Sequence, residues 1–288
     1  MTDAGVRRYR ALVGIRGVRA PLALSTLGSI PIGMYGLAIL LLVREMDRSF
    51  GEAGLLVGVF SLANAFGAVA QGRFMDRFGQ TGVLRVAAGA HLPALVALVL
   101  AARADAPTWV LALVALCGGG SLPQLPAAMR SLWNMLVQDP ELRATAYALV
   151  AVVFEVAVVT APALAAGIAS LWSPTVAVVI AGGLSVGSAL AFALTGPSRA
   201  WRGAPHDVGW LGPLGAPGMR TVFGALVAFG AAVGIVPVAV PATIPITIAA
   251  KASVTVPRGA TVSSSVEPTT VDGASSSPHS TSSAASDR

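Results

Sequence analysis

Long apolar runs separated by short polar breaks fill most of this 288-residue chain. Each run is about as long as the roughly 20 residues that an α-helix needs to cross a bilayer. The pattern predicts seven spans, at residues 21–43, 53–74, 83–102, 107–129, 145–169, 173–195 and 219–240. The chain is therefore predicted to be all-α, a polytopic bundle of transmembrane helices.

The composition changes after the sixth predicted span. Glycine and proline punctuate polar residues at 196–218, which predicts a linker after a six-helix bundle at 21–195. The seventh helix, within 219–248, contains three prolines at four-residue intervals, so we expect its end to bend or fray. Serine, threonine, proline and glycine dominate 249–288, where too few large apolar side chains remain to offset the entropy of ordering. A disordered tail is expected there.

The overall composition supports lipid as the solvent. Apolar residues make up 55% of the chain and charged residues only 11%, whereas a soluble domain carries about 25% charged residues. The net charge of +6 comes almost entirely from arginines, which form no stripe interleaved with aromatics, so no nucleic-acid partner is expected. The single cysteine, Cys117, excludes an internal disulfide and a cysteine-based metal site.

The arginines also indicate the orientation in the membrane. The basic N-terminus, 1–20, and the loops on the same side carry 13 arginines, whereas the opposite side carries 3. Cytoplasmic loops hold the basic excess, so the N-terminus is predicted to be cytoplasmic in a multi-pass protein of the cell membrane. The apolar stretch at 21–43 is longer than the roughly 7 to 15 residues of a signal-peptide core, so we expect it to remain as the first span.

A short stretch between the second and third predicted spans is the most specific in the sequence. Gly72 predicts a close helix contact, Asp76 can cap a helix or pair with an arginine, and Gly79 predicts a turn. With Arg77, these residues resemble the cytoplasmic loop signature of the major facilitator superfamily, Gly-x-x-x-Asp-Arg-x-Gly. The two basic residues that follow in the signature are absent here.

The resemblance implies the N-terminal, six-helix half of a transporter in which two halves enclose a solute near mid-membrane. In that family the loop acts as a conformational latch through its acidic residue. Transferred to this chain, the acid is Asp76, and Arg130 at the cytoplasmic end of the fourth span is its expected partner. A solvated loop pair worth less than about 1 kcal/mol is the alternative.

Glu155 is the one acidic residue deep within a predicted span. It lies about 12 residues, or roughly 18 Å of helix, beyond Arg143. A carboxylate at that depth must face a cavity, be paired or be protonated. The functional interpretation is a proton-coupling or cation-binding site, and the structural one is a protonated glutamate hydrogen-bonded to a neighbouring helix.

Other polar residues within the predicted spans could line the same cavity. They are Asn64 in the second span, Gln124 in the fourth and Tyr35 in the first. Each is equally explained by a hydrogen bond between helices, which is the commoner role. His91 in the third span has no identifiable partner in the sequence.

The sequence therefore predicts a transporter of the major facilitator type that moves a small solute by alternating access, with proton-coupled efflux as the narrower hypothesis. A second copy of the chain or another protein would supply the missing half. A truncated or frame-shifted fragment without transport is one alternative, favoured by the composition change after Val236, and a membrane scaffold is another. Enzyme motifs are missing, so neither a reaction, a cofactor nor a metal site is expected.

Overall fold

The computed structural model describes residues 3–203 together with the isolated positions 221, 224 and 225. Within that part of the chain the structure is helical, with no strand. The helices are α1 (Asp3–Gly14), α2 (Arg19–Glu45), α3 (Phe50–Phe78), α4 (Gln80–Arg103), α5 (Thr108–Ser121), α6 (Leu125–Leu136), α7 (Pro140–Leu171), α8 (Pro174–Leu194) and α9 (Gly196–Ala200). Apart from those three positions, the predicted seventh helix, most of the linker and the tail lie outside the described residues.

Six helical segments of the described chain are long and apolar enough to cross a membrane: α2, α3, α4, α5 with α6, α7 and α8. They correspond one to one with the first six predicted spans, and their ends agree within about five residues except at the end of the fourth. The all-α, multi-pass bundle is thus confirmed. The predicted basic N-terminus additionally holds the helix α1, which the apolar pattern did not predict.

Polar residues in the short breaks begin the helices that follow them. Ser49 accepts a hydrogen bond from the Glu52 backbone N–H at 3.1 Å, and the Glu52 carboxylate accepts one from the Ser49 N–H at 3.3 Å. This reciprocal pair satisfies two of the free N–H groups at the start of α3. The side chains of Asp139 and Ser173 cap α7 and α8 by accepting from the backbone N–H groups of Glu141 and Val176, and each stands directly before a proline at the first helical position.

The helices differ in how much of their surface the bundle buries. The apolar windows of α2 and α8 are each 56% buried, whereas those of α3 and α7 are each only 22% buried. Helices α3 and α7 therefore present long apolar faces outward. On α3 these are Leu55, Leu62, Phe66, Val69, Phe74 and Phe78, and on α7 they are Val152, Val156, Val159, Leu164 and Leu171.

Glycines bring α3 and α5 into backbone contact. A Cβ on Gly67 would collide with the backbone of Gly120, and a Cβ on Gly119 would collide with the backbone of Phe60. Small residues allow such an approach where lipid provides no hydrophobic drive for association. The close contact predicted at Gly72 is wrong, because a Cβ there would meet no described atom within 4 Å.

Gly119→Ala is expected to lower the free energy of unfolding by about 1–3 kcal/mol, because α3 and α5 would have to separate. The matched control is Gly58→Ala on α3, where a Cβ meets nothing within 4 Å. There the substitution is expected to be neutral or stabilising by up to about 1 kcal/mol through helix propensity. Reversible unfolding in mixed detergent micelles measures both, and equal stabilities would contradict the backbone contact.

Candidate functional site

The fourth span is interrupted at Leu122, Pro123 and Gln124, which separate α5 from α6. Pro123 has no N–H, so it cannot donate to the Gly119 carbonyl in the preceding turn. The Leu122 N–H donates to that carbonyl instead, at 3.2 Å, in a tighter turn that ends α5. The fourth span predicted at 107–129 is therefore present as one membrane-length segment, but it consists of two helices on either side of Pro123.

Side chains from α3 replace the backbone hydrogen bonds that the interruption removes. Gln71 donates through Nε2 to the Leu122 carbonyl at 2.9 Å and to the Gly120 carbonyl at 3.3 Å. Its Oε1 accepts from the Gln124 backbone N–H at 3.3 Å. Gln71 is buried, and unpaired backbone groups in an apolar setting each cost several kcal/mol, so this amide stabilises the break.

The structure brings two of the predicted site residues into direct contact. Gln124 Nε2 donates to Asn64 Oδ1 at 2.7 Å and to the Leu122 carbonyl at 3.0 Å. Together with Gln71 these residues form an amide cluster, defined here as Asn64, Gln71 and Gln124. The sequence analysis missed Gln71, although its spacing of seven residues from Asn64 places both on one face of α3.

Tyr35, the third predicted cavity residue, lies in a different buried network. Its hydroxyl is 2.7 Å from His91 Nε2, and His91 Nδ1 is 2.9 Å from the Gly118 carbonyl. A carbonyl only accepts, so Nδ1 carries the proton and Nε2 accepts from the tyrosine. His91 therefore has two partners, contrary to the sequence analysis, because the interruption of the fourth span leaves the Gly118 carbonyl free for it.

Tyr35→Phe is expected to lower the free energy of unfolding by about 1 kcal/mol, the magnitude of hydrogen bonds between helices in membranes. The substitution leaves His91 Nε2 without its donor in a buried setting. Tyr147→Phe is the matched control, because it removes an exposed hydrogen bond of 2.6 Å to Asn134. Unfolding in mixed micelles should give a lower free energy of unfolding for Tyr35→Phe than for Tyr147→Phe. The reverse order would contradict the network.

The latch loop, residues 72–79, consists of the last two turns of α3 and the single residue Gly79 between α3 and α4. Gly79 ends α3 with φ of 88°, a conformation that favours glycine. Asp76 and Arg77 are exposed, and Gly203 at the start of the predicted linker packs against the Asp76 backbone. Arg130 is also exposed, and none of the ion pairs among the described residues joins it to Asp76. Their pairing stays a prediction.

Gln80 stands at the first of the two positions where the loop signature has a basic residue. Its side chain is fully buried and donates through Nε2 to the Ala128 carbonyl at 3.0 Å. The hydrogen bond joins the first residue of α4 to α6. From the sequence only the missing charge is evident, because nothing in the pattern indicates that this amide reaches a helix 48 residues later.

Glu155 lies near the middle of α7, on the exposed face that also carries Val152, Val156 and Val159. It lies about 15 residues, or roughly 22 Å, from the start of the helix at Pro140. Among the described residues it has neither a hydrogen bond nor an ion pair. The helix-to-helix hydrogen bond that the structural interpretation requires is therefore not made within the described bundle.

A model of the Major Facilitator Superfamily matches residues 22–257. The chain belongs to the major facilitator superfamily. The match covers all six described spans, including the interrupted one. Members of this superfamily are transporters rather than enzymes, so the chain is a multi-pass membrane protein of the transporter type. Neither the comparison with curated proteins nor that with solved structures gave a match.

The superfamily member also holds an ionic cluster at the opposite end of the bundle from the latch loop. Arg48 contacts Asp105 at 2.9 Å, and Thr108 donates to the Glu52 carboxylate at 2.6 Å. Arg48 reaches Glu52 as well, at 3.6 Å, and its side chain is only 13% exposed. The cluster joins the loop before α3 to the loop before α5. Polar contacts thus join separate segments at both ends of the bundle: Arg48 with Asp105 at one end and Gln80 with the Ala128 carbonyl at the other.

Metal-binding groups are not assembled in the described chain. Between residues 8 and 203 no group of three or more histidine, cysteine, aspartate or glutamate side chains could hold a metal ion. The polar groups within the described spans include the amide cluster, the Tyr35–His91 pair and the isolated carboxylate of Glu155. These groups can bind a solute through hydrogen bonds or exchange a proton.

Proposed function

We propose that this superfamily member moves a small solute across the cell membrane by alternating access, with its N-terminus on the cytoplasmic side. The observation that carries the proposal is Glu155, a carboxylate near mid-span without a partner among the described residues. A charged group facing lipid at that depth costs at least about 2.5 kcal/mol. The cost is avoided if this face of α7 lines a water-filled or solute-filled cavity. A cavity on an outward face requires a second wall.

The second wall would come from another half. Helices α3 and α7 are the least buried spans, and their outward faces are apolar over most of their length. Transporters of this architecture bind solute between two helical halves that rock against each other. A second copy of the chain or another protein packed against α3 and α7 would enclose Glu155. Proton-coupled efflux is the narrower form of the proposal, with Glu155 as the group that binds the proton.

The latch loop belongs to the same proposal. Asp76 is exposed at the end of α3, and Arg130 is exposed on α6 on the same side of the bundle. An ion pair between them in the second access state would bias a two-state equilibrium whose free-energy gap is a few kcal/mol. The amide cluster of Asn64, Gln71 and Gln124 offers hydrogen-bonding groups for a solute at the interrupted span, where Asn64 is only half-buried.

The experiment is flux into and out of proteoliposomes that contain the full chain, with a panel of labelled drugs and sugars and an imposed pH gradient. Saturable flux above that of protein-free vesicles, increased by the gradient, is the expected result. Flux that is saturable but independent of the gradient would retain transport and reject proton coupling. Absence of flux for the whole panel would favour the inactive-fragment alternative or the scaffold.

The fragment alternative has its own test in the coding DNA after the codon for Val236. An alternative reading frame that resumes apolar spans would identify the Ser/Thr-rich tail as the product of a frameshift. A single frame without such continuation would leave the half-length transporter as the expected product. The scaffold alternative requires neither Glu155 nor the latch loop, so substitutions there would leave its partner binding unchanged.

A further inference from the structure

A groove runs along the outer surface of the bundle between α3 and α4. It encloses about 490 Å³ and is lined almost entirely by apolar groups and glycines. Gly67, Phe74 and Phe78 line it on α3, and Gly82 and Val86 line it on α4. The one amide in its wall, Gln71, is already engaged by the interrupted fourth span. The groove therefore offers its occupant an apolar surface.

The length of the groove corresponds to one leaflet of a bilayer. The wall of α3 extends from Gly67 to Phe78, a rise of 11 residues or about 16 Å along the helix. The hydrocarbon core of a bilayer is about 30 Å thick, so one leaflet contributes about 15 Å. The groove begins at the latch loop, where the span meets the membrane surface, and ends near mid-membrane. A single acyl chain has this reach, whereas a transmembrane helix of a partner would cross the whole core.

The mouth of the groove attracts anions. The guanidinium of Arg77 lies 5.4 Å from the ring centroid of Phe78, which lines the groove. Helix α4 begins at the same mouth without a side-chain cap, so its first N–H groups point toward the lipid headgroup region. Between positions 73 and 85 the chain carries three arginines and one acid, Asp76. The surplus of positive charge favours a negatively charged headgroup.

We propose that this groove is a binding site for an anionic phospholipid, with one acyl chain between α3 and α4 and its phosphate near Arg77 and the first turn of α4. The site depends on the described bundle alone and does not require transport. Its occupant is a lipid of the leaflet that faces the latch loop. The lipid would pack against Phe74 and Phe78 and so hold the loop at the membrane surface.

The test is native mass spectrometry of the purified full chain in detergent with equal amounts of palmitoyl-oleoyl phosphatidylglycerol and phosphatidylcholine. The wild-type chain is expected to retain phosphatidylglycerol about fivefold over phosphatidylcholine, the factor expected for one basic residue at a lipid surface. Arg77→Gln is expected to bring that ratio close to one. Equal retention of the two lipids by the wild-type chain would overturn the proposal.

Gly82→Leu tests the groove itself. A Cβ on Gly82 meets nothing within 4 Å, so the larger side chain fills the groove without displacing a neighbour, and both lipid adducts should be lost. Gly187→Leu on α8 is the matched control, because that glycine is equally open and exposed but lies outside the groove. If Gly82→Leu instead retains as much phosphatidylglycerol as Gly187→Leu, the groove is not a lipid site.

Discussion

Glu155→Gln is expected to lower solute flux by at least about tenfold, equivalent to about 1.4 kcal/mol in the barrier of the slowest step. Glutamine keeps the size and hydrogen-bonding shape of glutamate but can neither carry a charge nor release a proton. If the carboxylate binds the coupling proton in a cavity, the substitution removes the step that links proton movement to solute movement. Flux into proteoliposomes with and without a pH gradient measures this directly.

The matched control is Glu141→Gln in the first turn of the same helix. Glu141 forms an exposed ion pair of 2.9 Å with Arg8, and such pairs contribute less than about 1 kcal/mol. Glu141→Gln is therefore expected to leave flux within about twofold of the wild-type value. Equal flux in both variants would show that Glu155 takes no part in transport. Its position would then require a structural explanation, such as a protonated carboxyl hydrogen-bonded to a partner that packs against α7.

Gln71→Leu is expected to lower the free energy of unfolding by about 3 kcal/mol, because it leaves two backbone groups at the break without partners. These are the carbonyl of Gly120 and the N–H of Gln124, whereas the Leu122 carbonyl keeps its hydrogen bond from Gln124 Nε2. Leucine has a similar volume, so the packing between α3 and α5 is largely retained. Gln138→Leu, in the exposed loop after α6, is the matched control and is expected to change stability by less than about 0.5 kcal/mol.

A double-mutant cycle with Pro123→Ala isolates the cause of that loss. Alanine restores the N–H that proline lacks, so part of the backbone can return to helical hydrogen bonds and Gln71 becomes less necessary. The cost of Gln71→Leu is expected to be at least about 1 kcal/mol smaller in the Pro123→Ala background. Additive costs in mixed-micelle unfolding would contradict the link between the glutamine and the break.

The amide cluster shows how far sequence reasoning reached into the candidate site. Asn64 and Gln124 were singled out because polar residues are rare in spans, and the structure places them in direct contact. The same reasoning selected Tyr35 for that cavity, but its partner is His91 in a separate network. For these buried residues, polarity within a span correctly indicates that each has a partner. It does not indicate which one, because that depends on the rotation of each helix.

The latch loop likewise combines a feature that the local sequence predicts with one that depends on helix packing. The turn at Gly79 follows from local chemistry, since glycine tolerates the positive φ found there. Gly67 and Gly72 both permit a close helix contact, but the structure makes it at Gly67, five residues earlier on α3. Both glycines look alike in the sequence. Only the position of Gly120 on the neighbouring helix distinguishes them.

The sequence by itself determined the number, order and approximate ends of the six described spans. Span length and capping are local properties, set by the thickness of the bilayer and by the residues next to each helix end. Tertiary structure decided where the fourth span breaks in relation to α3, which amides meet, and that Glu155 lies on an outward face. These features depend on how the helices are rotated and packed, and glycine contacts between distant segments fix that packing.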